Sequence, residues 1–311
     1  MKNIYEVQTA NKIKSAVIVG GFIVFVFVVA YILTNAFSYY MGYAPDGLAF
    51  TGFALIVSGI SSFVSYYYSD KIVLTIAGAR PADRKRDFNF YTVAENIAIG
   101  EGVPKPKLYV VDDPSPNAFA TGRDPEHAAV CVTTGLLDLM NRTELEGVVA
   151  HEMTHVKNYD TRLMAVVAVM VGLIALLGDW FMRMMWFGGG RRNNDREGGD
   201  LGAIFMVLGI IFAILSPIVA TLIQLAISRR REFMADAGSA EITRQPKGLI
   251  SALEKISADP IPLAHANKAT AHLYISNPFR KQGHGQVGWF ANLFNTHPPI
   301  TDRIKALQNM I

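Results

Sequence analysis

His151-Glu152-Met153-Thr154-His155 sets two imidazoles four residues apart, with a carboxylate beside the first. On an α-helix, residues four apart share one face, one turn above the other, so both rings can reach a single metal ion. Glu152 follows the first histidine on the same turn and can touch a water on that ion. Zn²⁺ lowers the pKa of such a water to about 7, and a neighbouring carboxylate takes its proton as it attacks a peptide carbonyl. This H-E-x-x-H spacing is short, and its bland alternative is a solvated polar helix face.

The elements around the motif decide between these readings. The chain has 311 residues, 51% hydrophobic and only 18% charged. Soluble domains carry about 25% charged residues, so the excess of apolar residues points to membrane segments. Net charge is +3, with no basic stripe or interleaved aromatic platform, which excludes nucleic acid as a partner. Cys131 is the single cysteine, so there is no internal disulfide framework and no cysteine-based zinc site; it reads as a small core residue.

Four apolar blocks stand at about 15–33, 48–68, 163–187 and 201–227. Each suits a span of about 20 residues across a bilayer. No A-x-A-like site follows the first block, so it reads as retained. Lys2, Lys12 and Lys14 precede the first block, and Arg80, Arg84, Lys85 and Arg86 follow the second. By the positive-inside bias both sides are cytoplasmic. Arg191, Arg192 and Arg196 in the Gly-rich loop 188–200 oppose an external position for that loop. Blocks three and four therefore read either as full spans or as a buried or partly inserted hairpin.

The rest is soluble in character. Helical periodicity runs over 88–99, strands over 107–111 and 127–133, and a short strand or extended edge over 117–122. Thr143 and Glu146 read as a T-x-x-E capping box starting the motif helix. No proline interrupts 144–216, so that helix could continue into the third block, with His151 about 18 Å beyond Leu163 at ~1.5 Å rise per residue. Helices follow over 246–257 and 301–310. The organisation is thus a membrane hairpin (1–69), a cytoplasmic part with the motif (70–162), a second hairpin (163–227) and a second cytoplasmic part (228–311). The fold class is mostly α: a multi-span helical bundle with a cytoplasmic α+β zincin-like domain.

A hydrolytic zinc site takes three protein ligands and keeps one position open. A hairpin over 163–227 leaves and returns on one membrane face, so residues just after 227 should lie near the two histidines. Glu232 stands there and completes a His₂Glu set with His151 and His155. Its alternative is a surface partner for Arg229, Arg230 and Arg231. Asp236, one turn on, could orient a ligand imidazole, as could Asp160 with less force.

Taken in order along nearly the whole chain, these residues resemble the HtpX-type membrane zinc metalloproteases, relatives of the CAAX prenyl proteases. The segment Asn117-Ala118-Phe119-Ala120 resembles the family's N-A-F segment, and His297-Pro298-Pro299 with Arg303 resembles its H-P-P-x-x-x-R motif. The resemblance implies one zinc ion held by His151, His155 and Glu232, with Glu152 as general base. It implies that Asn117, Ala118, Phe119 and Ala120 pair with an extended substrate, that His297 polarises the carbonyl or stabilises the oxyanion, and that Arg303 supports the site. It also implies an endopeptidase in the bacterial inner membrane, multi-pass, its site facing the cytoplasm. Its substrates would be membrane or misfolded proteins, in quality control and the stress response. Other readings are a CAAX-type processing protease, a catalytically silent membrane adaptor and a metal transporter. An intact Glu152 argues against the adaptor. The sparse ionisable residues inside the spans, chiefly Asp179 and Arg183, argue against the transporter. Nothing in the sequence bears on oligomeric state.

Overall fold

A computed structural model describes residues 4–40, scattered positions between 52 and 67, and residues 68–169, 229–263, 270, 273–275 and 298–310. Within 4–40 the backbone is described throughout and the side chains in part. The architecture is mostly helical around one small sheet. Helix α1 spans Ile4–Tyr40 and contains the first apolar block. Blocks three (beyond residue 169) and four, and much of block two, lie outside the described residues. Among the described residues no helix is long and apolar enough to cross a membrane.

After α2 (Ser69–Ile76) the chain forms β1 (Arg80–Pro81), α3 (Phe88–Glu101), β2 (Lys107–Val111), β3 (Ala118–Thr121) and β4 (Ala129–Thr133). The sheet order is β1-β2-β4-β3. β4 lies parallel to β2 and antiparallel to β3, with Phe119 opposite Cys131. β3 is therefore an edge strand. All four of its residues are buried, because both faces of the sheet are covered. Leu108, Val110, Ala118, Ala120, Val130 and Val132 face a core with Phe90, Val149, Met153 and Leu253. Val111, Phe119, Ala129 and Cys131 face a second core with Val73, Leu163, Val167 and Tyr274. Strands buried on both faces read as unbroken apolar runs rather than as alternation, which is why HAAVCVT gave a strand but no face.

The helices that matter for the site are α5 (Arg142–Lys157), α6 (Arg229–Thr243), α7 (Pro246–Ala258) and α8 (Ile300–Gln308); α4 (Thr134–Leu139) leads into α5. The capping box of α5 differs from the T-x-x-E reading. Asn141 is the N-cap: its side chain accepts from Glu144 N–H at 3.0 Å, and the Glu144 carboxylate accepts from Asn141 N–H at 2.9 Å. Thr143 is instead inside the first turn, where its carbonyl lies against Gly248 of α7, and Glu146 pairs with Arg142. The helix starts two residues earlier than a Thr143 cap allows, because Asn and Glu at three-residue spacing satisfy the same orphan N–H groups.

Continuity of the motif helix into the third block is also corrected. α5 ends at Lys157, Asn158 caps it, Tyr159 takes φ 60°, and helix resumes over residues 160–169. A left-handed non-glycine residue costs about 1–3 kcal/mol, so the break is held by its surroundings. The 18 Å separation expected for an unbroken helix does not apply.

Candidate metal centre

α5 is held at its N-terminal half by Leu145, Val148 and Val149, each almost fully buried. Burying such side chains contributes about 1.5–3 kcal/mol each, enough to anchor a helix whose other face is polar and buried. Two close helix approaches place that polar face. A Cβ on Gly147 would meet Leu249 N of α7 at 2.7 Å, and one on Gly238 would meet the Thr154 side chain of α6's neighbour α5 at 2.5 Å. Ser239 Oγ donates to Gly147 O at 2.7 Å across the same contact. Small residues on both sides thus bring α6 against α5, and Glu232 with it.

His151, His155 and Glu232 are all buried and their ligand atoms lie within 4.8 Å of one another. His151 Nε2 is 3.8 Å from Glu232 Oε2, and His155 Nε2 is 3.5 Å from Glu232 Oε1. The imidazoles are perpendicular, with ring centroids 4.8 Å apart. Two atoms each about 2.1 Å from a tetrahedral ion stand about 3.4 Å apart, so these spacings fit a zinc-sized cation.

Behind each imidazole stands a carboxylate. Asp236 Oδ1 is 3.0 Å from His151 Nδ1, and Asp160 Oδ2 is 3.0 Å from His155 Nδ1. Both Nε2 atoms are left facing Glu232. The break at Tyr159 makes the second contact possible. Five residues along an unbroken helix would put Asp160 about 140° around from His155. Arg303, fully buried on α8, makes a two-pronged contact with Asp236 at 2.6 and 2.9 Å and lies 3.4 Å from Glu232 Oε2. Its Nη2 is also 3.4 Å from both ring nitrogens of His151.

Electrostatics separates the two histidines. Burial pushes His151 below the usual imidazole range, with Asp236 opposing and Arg303 reinforcing the shift. Burial acts the same way on His155, but Asp160, Glu232 and Glu152 outweigh it and raise His155 to about 9. Burial opposes ionisation of Asp236, yet Arg303 and His151 hold it below the usual carboxylate range. Glu152 is buried beside the two ligand histidines, and desolvation lifts its carboxyl to about 7. It accepts a hydrogen bond from the backbone N–H of Ala120 on β3.

The edge segment is thus in direct contact with the motif. Asn117 O accepts from Thr133 N–H toward β4, so by alternation Ala118 and Ala120 turn their backbone groups outward. That outer edge is not open along its length: Ile275 N–H donates to Ala118 O at 2.9 Å. Tyr274 packs edge-on against Phe119, ring centroids 5.0 Å apart. Phe119 itself packs in the second core. Pro298 and Pro299 precede α8, while His297 lies outside the described residues.

Peptidase family M48 matches residues 85–311. The chain belongs to that family. This M48 peptidase is 46% identical over 310 residues to a protease HtpX homolog of Caldanaerobacter subterraneus, covering 99% of this chain and 98% of that one. It is 45% identical to another from Dictyoglomus thermophilum, covering 98% and 94%. Among solved structures, S. mikatae Ste24p aligns with TM-score 0.46 and 17% identity over 99% of this chain and 66% of that chain. The family implies a metal ion, which the His151, His155 and Glu232 group fits. Asn11, Arg231 and Ile275, which touch Asp160, Asp160 and β3 respectively, belong to no motif and could not have been read from spacing.

Proposed function

We propose that this M48 peptidase is a zinc-dependent endopeptidase anchored in a bacterial inner membrane. The observation that carries the reading is the convergence of both Nε2 atoms and the Glu232 carboxylate, with Glu152 buried alongside. His151, His155 and Glu232 hold the ion. Zinc there supplies the Lewis acidity that acidifies a water and polarises a peptide carbonyl. Asp160 and Asp236 fix the Nδ1–H tautomers and so aim each Nε2 inward. Arg303 neutralises Asp236 and keeps Glu232 on the site.

Glu152 takes the proton of the attacking water and passes it to the leaving amine. A carboxyl near pH 7 suits both transfers. The outward backbone groups of Ala118 and the outward carbonyl of Ala120, with Asn117 at the head of the strand, pair with an extended substrate by strand addition, while the Ala120 N–H stays on Glu152. Such a substrate takes the place of Ile275 N–H on Ala118 O. His297, three residues before α8 in the sequence, stabilises the developing oxyanion.

The four apolar blocks support a four-span arrangement, 1–69 and 163–227 forming membrane hairpins and 70–162 with 228–311 forming the cytoplasmic peptidase. The relatives' printed name supports protein substrates, and a site close to the first and third apolar blocks favours membrane or misfolded proteins among them. The test uses the full chain in detergent with wild type and Glu152→Gln. The variant is expected to keep its zinc and lose proteolysis of casein or a membrane protein by about 10²–10⁴-fold. Full activity in Glu152→Gln sinks its role as base. Normal zinc content in Glu232→Ala sinks the third ligand.

A further inference from the structure

The carboxylate behind His155 is itself held from a distant part of the chain. Asn11 lies on α1 and is buried, at 3% exposure. Its side-chain amide donates to Asp160 Oδ1 at 2.7 Å and to Asn158 O at 3.0 Å. The other oxygen of Asp160 is the one 3.0 Å from His155 Nδ1. A continuous path therefore runs from the N-terminal helix through Asp160 to a ligand imidazole. We propose that Asn11 is a positioning residue for the metal centre, setting the rotation of the Asp160 carboxylate and through it the aim of His155.

The surroundings of Asn11 show why this position and not another does it. Gln8 donates to Lys157 O at 2.9 Å, Ser15 donates to Asn11 O at 2.8 Å, and Lys12 Nζ sits 4.2 Å from the centre of the Tyr159 ring. Residues 8, 11, 12 and 15 form one stripe at helical spacing. The stripe meets the end of α5, where the last carbonyls have no partner within their own helix. Gln8 and Asn11 each satisfy one of these carbonyls, but only Asn11 also directs its side-chain amide to Asp160. An amide suits this place. It orients the carboxylate without bringing a charge that would compete with a bound cation, whereas Arg231 Nε, at 3.4 Å from the same oxygen, is the looser partner.

A purely structural role would make Asn11 and Gln8 equivalent, as two side chains tying α1 to α5. The test separates them. The full chain is purified in detergent, stripped of metal, and its zinc dissociation constant is read by competition with a chromophoric chelator. Thermal unfolding of the metal-free protein is read in parallel. Loss of a partner behind a ligand typically weakens metal binding about 10–100-fold, and that range is expected for Asn11→Ala. Asn11→Asp keeps the volume, removes the donor and is expected to weaken binding at least as much. If Asn11→Ala fails to fold, Asn11→Asp gives the reading. Gln8→Ala is expected to stay within about twofold of wild type in zinc affinity while lowering the unfolding midpoint as much as Asn11→Ala does. Affinity within twofold for both Asn11 variants, or equal weakening by Gln8→Ala, overturns the proposal. The inference rests on His155 as a metal ligand. His155→Ala retaining wild-type affinity breaks that reading instead, whereas loss in His155→Ala with none in the Asn11 variants breaks only this one.

Discussion

The two histidines of the centre are mirror images in chemistry and opposites in construction. Each imidazole faces Glu232 through Nε2 and a carboxylate through Nδ1. On the His151 side the carboxylate, Asp236, sits one helical turn from Glu232 and is locked by Arg303 from α8. The two residues behind His151 on that side both come from the C-terminal part of the peptidase, on α6 and α8. On the His155 side the carboxylate, Asp160, sits just past a helix break and is held by Asn11 of α1, with Arg231 nearby. One half of the centre is thus built by the catalytic fold, and the other is completed by the helix that carries the first apolar block. A difference of this kind makes the His155 side responsive to how α1 sits, while the His151 side is not.

The largest expected break of this symmetry is Arg303→Ala. Both partners are fully buried, and removing one from a buried pair costs about 3–5 kcal/mol because a charge is left without compensation. Urea unfolding of the metal-free protein checks it. A loss below 1 kcal/mol would show that Asp236 does not depend on α8.

Gly238→Val attacks both sides together. Its side chain meets Thr154 where α6 crosses α5, and crowding of this sort costs about 1–3 kcal/mol. Glu232 is carried away from both imidazoles, so zinc content should fall with stability. Retention of full zinc would mean that the close helix approach is not what sets the third ligand.

Protons sharpen the comparison. A metal needs neutral imidazoles. His151 is already depressed, whereas His155 holds its proton up to about pH 9 in the metal-free protein. Below that pH the ion must displace a proton from His155, so affinity should fall about tenfold for each unit of decrease, or ~1.4 kcal/mol. Calorimetry in buffers of different ionisation enthalpy should count about one proton released near pH 8. Asp160→Asn removes the main partner raising His155 and should flatten the slope, while weakening binding overall. A slope unchanged by Asp160→Asn would place the released proton elsewhere.

The smallest effect is a control. Asn141→Ala removes the cap of α5 and should cost about 1 kcal/mol of stability. Zinc affinity should not change, because the cap is about four helical turns from His155. A change in affinity would show that α5 slides as a unit.

Much of the centre was legible before the fold. Four-residue spacing on a helix is enough to bring His151 and His155 to one side, since helical geometry is local. Glu232 was reached by expecting residues 163–227 to form a hairpin that returns to the face it left; the structure brings Glu232 to the two histidines, while most of the expected hairpin lies outside the described residues. The strand at 107–111, the strand read over 127–133 and found at Ala129–Thr133, and the helices of the C-terminal part were also clear, because their apolar periods are local too. The errors fell where two signals of equal local strength competed. Asn141 and Thr143 are both good caps with a glutamate three residues on, and only the packing of Gly248 against Thr143 O decides between them. The end of α5 was missed for a related reason. No proline or glycine marks it, and the break at Tyr159 is sustained by contacts from α1 and by Asp160 turning back to His155.

By itself the sequence named the residues of the proposed chemistry: two imidazoles and a third carboxylate for a metal, two candidate carboxylates behind them, and a glutamate proposed as base. These follow from residue type and short spacing, which the backbone enforces without help. Only the tertiary structure decided which carboxylate stands behind which imidazole, that the outer edge of β3 is shared with Ile275, and that Asn11 reaches a residue nearly half the chain away. Such contacts depend on side-chain direction across separately folded helices. No local pattern encodes that direction, because any buried amide on α1 reads alike until the helix it touches is in place.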